Sequence, residues 1–164
     1  MTEPVTRFSG EYAFLSSFAQ IPFMYNIPGF GLVQLPDREH GFQALKTDHP
    51  EQIRAVLYAG SAAGAKRQGR QVTMRPCWEQ DRQSEMLSLI LAQFRQNPAC
   101  RGLLAATGDA ELVEGNTWND TFWGAIPLEH CSRYETSLPV WAGMTFHGHN
   151  WLGRSLMAAR HFLC

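Results

Sequence analysis

Hydrophobic and polar positions change period several times along the chain, and each change marks an element. Phe8, Tyr12 and Phe14 alternate with Ser9, Glu11 and Ala13, a period of two that predicts a short strand. Phe23-Met24-Tyr25 and Leu32-Val33-Gln34-Leu35 flank a Pro/Gly turn, which predicts a β-hairpin. After Pro36 the period lengthens to that of helices. Asp37 is a good N-cap for a first helix, because its carboxylate can accept from the exposed amides of the first turn. Asp48-His49-Pro50-Glu51 starts a second helix, with Ile53, Val56 and Leu57 on its core face and Gly60 ending it. Ser61 caps a short third helix running to about Gly69.

Pro76-Cys77-Trp78 opens a long helix to about Gln96. Met86, Ile90 and Phe94, with Leu87, Leu89 and Leu91, make its wide apolar stripe, so it is expected to be the central core helix. Trp78 lies at its first turn, away from the stripe. Asn97-Pro98 begins another helix with Leu103 and Leu104 inward, stopped at Thr107-Gly108. Glu111–Glu114 reads as a short strand, and Val140–Phe146 as another within the irregular segment 125–147. Asn150 caps a last helix with Leu152, Leu156 and Met157 inward. Pattern alone thus predicts one α+β domain over residues 1–164, predominantly helical, with a small N-terminal β-hairpin.

One face breaks the pattern. Glu39, Phe42, Gln43 and Lys46 are spaced i, i+3, i+4, i+7 and share one side of the first helix. Two readings stand: a surface helix with a Glu/Lys pair, or the wall of a polar pocket. A second unusual stretch is Gly115–Gly124, where Trp118, Phe122 and Trp123 crowd around Asn119 and Asp120. Such a loop is costly to hold in place unless it builds a site.

Composition changes little in this picture. The 164 residues carry a formal net charge of −1, so there is no global field for nucleic acid or an anionic membrane. Lys66, Arg67, Arg70 and Arg75 form a local basic cluster, either a solvated surface or a grip on phosphate. There is no apolar leader and no run long enough to span a bilayer, so a soluble cytoplasmic protein is expected. Cys77, Cys100, Cys131 and Cys164 show no zinc spacing and read as isolated thiols. His147-Gly-His149 reads as an ordinary loop pair, and no metal or cofactor is expected.

No nucleophile motif, P-loop or dinucleotide-binding glycine pattern is present. Two carboxylates in aromatic settings remain, Glu39 and Asp120. Paired carboxylates suit hydrolysis through an oxocarbenium-like transition state. Glu39 lies in the first turn of its helix, where the dipole favours a base or charge stabiliser over an acid. Trp78, Phe42 and Trp123 can stack on a flat base. Lys46 can bind a phosphate or attack the aldehyde of an opened sugar.

Five blocks fall in the order and approximate spacing of one family: Phe8–Phe18, Glu39-His40-Gly41-Phe42-Gln43-Ala44-Leu45-Lys46, Ala65–Arg70, Asn119-Asp120-Thr121-Phe122-Trp123-Gly124 and Asn150–Met157. Over nearly its whole length the chain resembles the NADAR (YbiA-like) family. The resemblance implies an N-glycosidase on a mostly helical α+β fold. Some members cleave base from ribose phosphate in riboflavin-pathway intermediates, and others remove ADP-ribose from guanine in nucleic acid. By motif position it implies active-site roles for Glu39, Asp120 and Trp123, with Lys46 as the motif lysine. It extends the substrate-binding set to Phe18, Phe42, Gln43, Arg70, Trp78, Gly124, Asn150 and Gly153. The implied partner is a nucleotide-like or ADP-ribosylated substrate, including ADP-ribosylated single-stranded DNA or RNA. A module that binds ADP-ribose or NAD without cleaving it is the alternative. Ser17 departs from the family's Leu-Ser-Asn-Phe, which puts affinity or substrate choice in question. The segment 125–147 is expected to be a substrate-selecting flap.

Overall fold

The computed structural model describes residues 2–131, 137–143 and 145–164. The fold is α+β and mostly helical, with small antiparallel sheets. It divides into two compact units, Ser17–Ala99 and a second made of Met1–Ser16 with Cys100–Cys164.

In the unit Ser17–Ala99, β1 (Phe23–Ile27) and β2 (Gly31–Leu35) form the expected hairpin, with Phe23 opposite Leu35 and Ile27 opposite Gly31. Its buried side carries Phe23, Ile27 and Leu35, as the two-residue period requires. Four helices follow: α1 (Arg38–Ala44), α2 (Pro50–Leu57), α3 (Ala62–Gly69) and α4 (Trp78–Gln96). The sequence points to α4 as the central helix, but the most enclosed one is α1. All seven of its residues are buried, and it packs on α2, α3, α4 and both strands. A seven-residue helix has little stability of its own. Two things fix α1: the surrounding packing, and the Asp37 carboxylate accepting from the His40 amide at 2.9 Å. α4 flanks it with Met86, Leu89, Ile90 and Phe94 buried, while Leu87 and Leu91 are only half-buried. Leu57 of α2 is half-buried too.

The other unit contains most of α5 (Pro98–Ala106), a sheet ordered β3 (Ile126–Pro127), β5 (Phe146–His147), β4 (Val140–Trp141), and α6 (Trp151–Leu163). Here several expected strands give way. Phe8–Phe14 is not extended: Gly10 takes a left-handed φ of 58° and starts a 3-10 helix over Gly10–Leu15. The helix buries Leu15, Phe8 is buried just before it, and among the described residues no neighbouring strand gives the aromatic alternation a sheet to join. Glu111–Glu114 makes only a bridge, with Val5 pairing to Leu112. The strand expected over Val140–Phe146 is two short strands around a turn, with Ala142 at φ 50° and Gly143 at φ 67°. Met144 lies outside the described residues, as do residues 132–136 of the expected flap. In α5 only Leu104 points inward. Leu103, 100° further round, is 51% exposed. No helix among the described residues is long and apolar enough to cross a membrane.

Candidate active site

The α1 face proves to be neither a surface nor an ordinary core. Glu39 is 5% exposed and Gln43 3%. The Glu39 carboxylate has a separate donor at each oxygen. Gln43 Nε2 donates to Oε1 at 2.7 Å, and Ser17 Oγ donates to Oε2 at 3.0 Å. The backbone repeats the second link, with the Glu39 amide donating to the Ser17 carbonyl at 3.1 Å. Both side-chain donors are neutral, so the carboxylate is hydrogen-bonded without being neutralised by an ion pair. That is the environment of a base or charge stabiliser kept for a reaction.

Lys46 sits half-buried just beyond the end of α1, its Nζ 5.7 Å from the Phe42 ring centroid. Burial pushes its ammonium below the ordinary lysine range. The charge of Glu39 opposes that shift, while Lys66 and Arg70 reinforce it. Among the described residues none of Lys46, Lys66 and Arg70 makes an ion pair. Like charges gathered without an ion pair repel one another, and an anion relieves the repulsion. Phe18, 40% exposed, lies under this group, with Lys66 Nζ 5.6 Å from its ring centroid.

Two members of the predicted set have other duties. Arg75 leaves the basic cluster: it pairs with Asp81 at 2.7 Å and Glu85 at 3.0 Å, and donates to the Leu45 carbonyl at 2.9 Å. Trp78 is not an exposed stacking surface. It is 3% exposed, tilted against Phe42 at 5.0 Å and covered by the Arg75 guanidinium at 5.4 Å. Phe42, 5% exposed, is equally enclosed. Among the predicted site residues of this unit, the exposed aromatic ring is Phe18.

The remaining predicted residues belong to the other unit, where they organise one turn. Asp120 Oδ1 accepts from the amides of Phe122 at 3.1 Å and Trp123 at 2.9 Å, so half of this carboxylate caps its own loop. The loop hangs on Asn116, whose amide donates to the Asp120 carbonyl at 2.8 Å and accepts from the Asp120 amide at 3.0 Å. Trp123 is half-buried and meets Phe122 edge-on at 5.0 Å.

Gly124, Asn150 and Gly153 support this turn from behind. Asn150 is fully buried and does not cap α6 through its side chain. Its amide instead clamps the chain at Leu112 (donating, 2.9 Å) and Glu114 (accepting, 3.0 Å). A Cβ on Gly124 would overlap the Glu114 carbonyl, and one on Gly153 the Leu112 carbonyl. The first amides of α6 donate to carbonyls of the turn, Trp151 to Phe122 at 3.1 Å and Leu152 to Trp123 at 3.0 Å. These three residues therefore hold the turn in place. The histidine pair is likewise accounted for: His147 is buried in β5, and the ring of His149 stacks on Trp151.

Pattern reading missed three residues. Asn116 passed as loop polarity, although an Asn four residues before Asp120 is a turn-forming signal. Gly69 was only a helix end. His40 was only a motif letter, yet it is 1% exposed with Nδ1 2.8 Å from Asp37 and Nε2 2.8 Å from the Ala59 carbonyl.

Comparison with known proteins agrees with the sequence blocks. The NADAR domain matches residues 6–164, and the chain belongs to that family. A riboflavin biosynthesis protein of Vibrio vulnificus (strain YJ016) is 35% identical over 130 residues, which is 78% of this chain and 30% of that protein. The chain thus spans less than a third of that relative's length. The NMR structure of the E. coli protein YbiA superposes with a TM-score of 0.72 at 29% identity, covering 99% of this chain and 86% of that one.

Proposed function

We propose that this protein is an N-glycosidase that hydrolyses the bond between a base or amine and a ribose phosphate or ADP-ribose. The observation that carries the reading is Glu39: a carboxylate 5% exposed, held at both oxygens by neutral donors, and close enough to Lys46 to bias its charge. As the base departs, positive charge builds at ribose C1 and the ring oxygen. A fixed anion there lowers the barrier by electrostatic stabilisation, or directs a water molecule onto C1 as its base. Lys46, Lys66 and Arg70 supply the cations for the phosphate. Phe18 offers the ring for the base. Motif position alone adds Asp120 and Trp123 as residues that orient water or a ribose hydroxyl. The likeness to a relative named for riboflavin biosynthesis favours a small phosphorylated ribosylamine over a polymer. The low net charge favours it too.

The test is a panel that sets riboflavin-pathway ribosylamine phosphates against an ADP-ribosyl-guanine oligonucleotide. Release of free base with ribose phosphate from the first group is expected. Retention of ADP-ribose with no release from any substrate would instead establish a binding module. Lys46 offers a further step: its neutral amine adds to the C1 aldehyde of an opened sugar, expels water and leaves an imine. Borohydride treatment during turnover is expected to fix that adduct on the peptide containing Lys46. An unmodified peptide removes the imine and leaves Lys46 as a phosphate ligand.

A further inference from the structure

Motif position assigns Gln43 to the substrate, but the geometry points elsewhere. We propose that Gln43 is a positioning residue for Glu39, and that Gly69 is the bare slot that aims it. The proposal rests on Glu39 being the catalytic carboxylate.

The Gln43 amide has two ends. Nε2 donates to Glu39 Oε1 at 2.7 Å. Oε1 is buried and has no hydrogen-bond partner among the described residues. A buried acceptor without a partner is unfavourable, so something holds the amide in this orientation. Electrostatics holds one end. Were the amide flipped, its oxygen would face the carboxylate oxygen, and two acceptors repel. Shape holds the other end. Oε1 lies directly over Gly69, the last residue of α3, where a Cβ would overlap it and would stand 2.6 Å from Cδ and 2.8 Å from Cβ of Gln43. Any residue but glycine would evict the Gln43 side chain and push α3 from α1. Glycine within a helix is destabilising relative to alanine, so a glycine here needs a reason. The reason is room for this amide.

The chain of support then runs Gly69, Gln43, Glu39 Oε1 on one side and Ser17, Glu39 Oε2 on the other. With both oxygens pinned, the carboxylate cannot rotate about its last torsion. Gln43, 3% exposed, has its donor spent on Glu39 and its acceptor enclosed over Gly69, so neither end is turned to solvent where a ligand would meet it.

The test has two arms. In protein labelled with 15N-glutamine, one side-chain amide proton of Gln43 is expected to exchange slowly with solvent. Its signal is expected to move in Glu39→Ala and in Gly69→Ala. Exchange as fast as that of a surface glutamine, or a signal indifferent to Glu39→Ala, overturns the proposal. In the second arm Gln43→Met keeps the volume and removes the donor. It is expected to lower kcat roughly 10–100-fold with KM within about twofold, because a misaimed group costs rate and leaves ground-state binding alone. A raised KM with kcat unchanged would make Gln43 a substrate contact and end the proposal. Neither the wild-type exchange nor the Gln43→Met kinetics depends on Gly69→Ala folding. Absence of turnover by wild-type protein on the whole panel would sink the N-glycosidase reading, while the exchange arm would still decide whether the slot holds Gln43.

Discussion

Glu39 and Asp120 are both carboxylates beside aromatics, and in sequence they look like equals. The structure gives them different partners. Glu39 takes its hydrogen bonds from side chains, Gln43 and Ser17, which evolution can exchange one at a time. Asp120 takes its own from backbone amides of the turn it sits in. A carboxylate held by side chains is an aimed group whose loss leaves the backbone in place. A carboxylate that binds its own backbone is part of the loop's conformation, so its loss changes chemistry and structure together. The difference teaches that a motif position identifies a residue type without saying whether the position serves chemistry or shape.

The comparison breaks most visibly at Glu39. Glu39→Gln keeps the size and removes the charge, and it is expected to cost roughly 10³-fold or more in kcat, the scale of losing a central electrostatic group. Its melting temperature should stay within a few degrees of wild type. Turnover near the wild-type rate would take Glu39 out of the mechanism.

Asp120 should behave otherwise. Asp120→Ala removes an acceptor from two turn amides and is expected to destabilise by about 1–2 kcal/mol, the cost of losing a capping oxygen. That corresponds to about 2–8 °C in melting temperature for a chain of this size. Asp120→Asn keeps the acceptor and should melt like wild type. Any activity lost in Asp120→Asn then reports the charge alone. If the Asn variant is fully active, Asp120 is a turn former and Glu39 stands as the sole catalytic carboxylate of the pair.

Local signals made much of this legible in the sequence. The hairpin follows from its two-residue period, and helices α1, α2 and α3 start where Asp37, Pro50 and Ser61 say they do. The Phe8–Phe14 strand failed because a period of two is an instruction only where a partner strand exists, and Gly10 diverts the chain into a helical turn. Trp78 misled for another reason. Its distance from the apolar stripe of α4 suggested exposure, but α4 has a second neighbour, and Phe42 covers it. Asn150 was read as a cap from its place, while its amide reaches back 38 residues to Leu112. Contacts at that separation leave no periodic trace. The polar face of α1 was visible. That it is buried, and which residue holds which, were not.

The region around Glu39 also carries a pH-sensitive link. His40 links the N-terminus of α1 to the turn before α3 through two contacts with acceptors, the Asp37 carboxylate and the Ala59 carbonyl. Satisfying both requires a proton on each ring nitrogen. Burial alone pushes the imidazole pKa down. The bonds to Asp37 and Ala59, with the charges of Asp37 and Glu39, outweigh it and leave the pKa raised above 6.5. A raised folded pKa means this contribution is fully present below the unfolded value and fades as pH climbs through the folded one. Stability is therefore expected to fall as pH climbs past the ordinary imidazole range, by on the order of 1–3 kcal/mol for a charge-assisted bond. His40→Asn should flatten that alkaline fall while lowering stability at pH 6. A fall of undiminished steepness in the variant would move the effect elsewhere.

The smallest expected effect is at Ser17, where the chain departs from its family's asparagine. Ser17 reaches Glu39 Oε2 with a single hydroxyl at 3.0 Å, slightly longer than the 2.7 Å bond from Gln43 on the other oxygen. Ser17→Ala removes one donor from a carboxylate that keeps another, so a cost near 1 kcal/mol, about fivefold in kcat/KM, is expected. Ser17→Asn is the sharper substitution. An asparagine amide can donate to Oε2 as serine does, and it brings a second polar atom that serine lacks. If that extra atom meets only Glu39, the variant should match wild type on every substrate of the panel. If it extends past Glu39, the ratio of kcat/KM between the riboflavin-type substrate and ADP-ribosyl-guanine should change while the rate on the better one holds. A changed ratio would locate substrate choice at Ser17. An unchanged ratio would leave Ser17 as half of the clamp on Glu39.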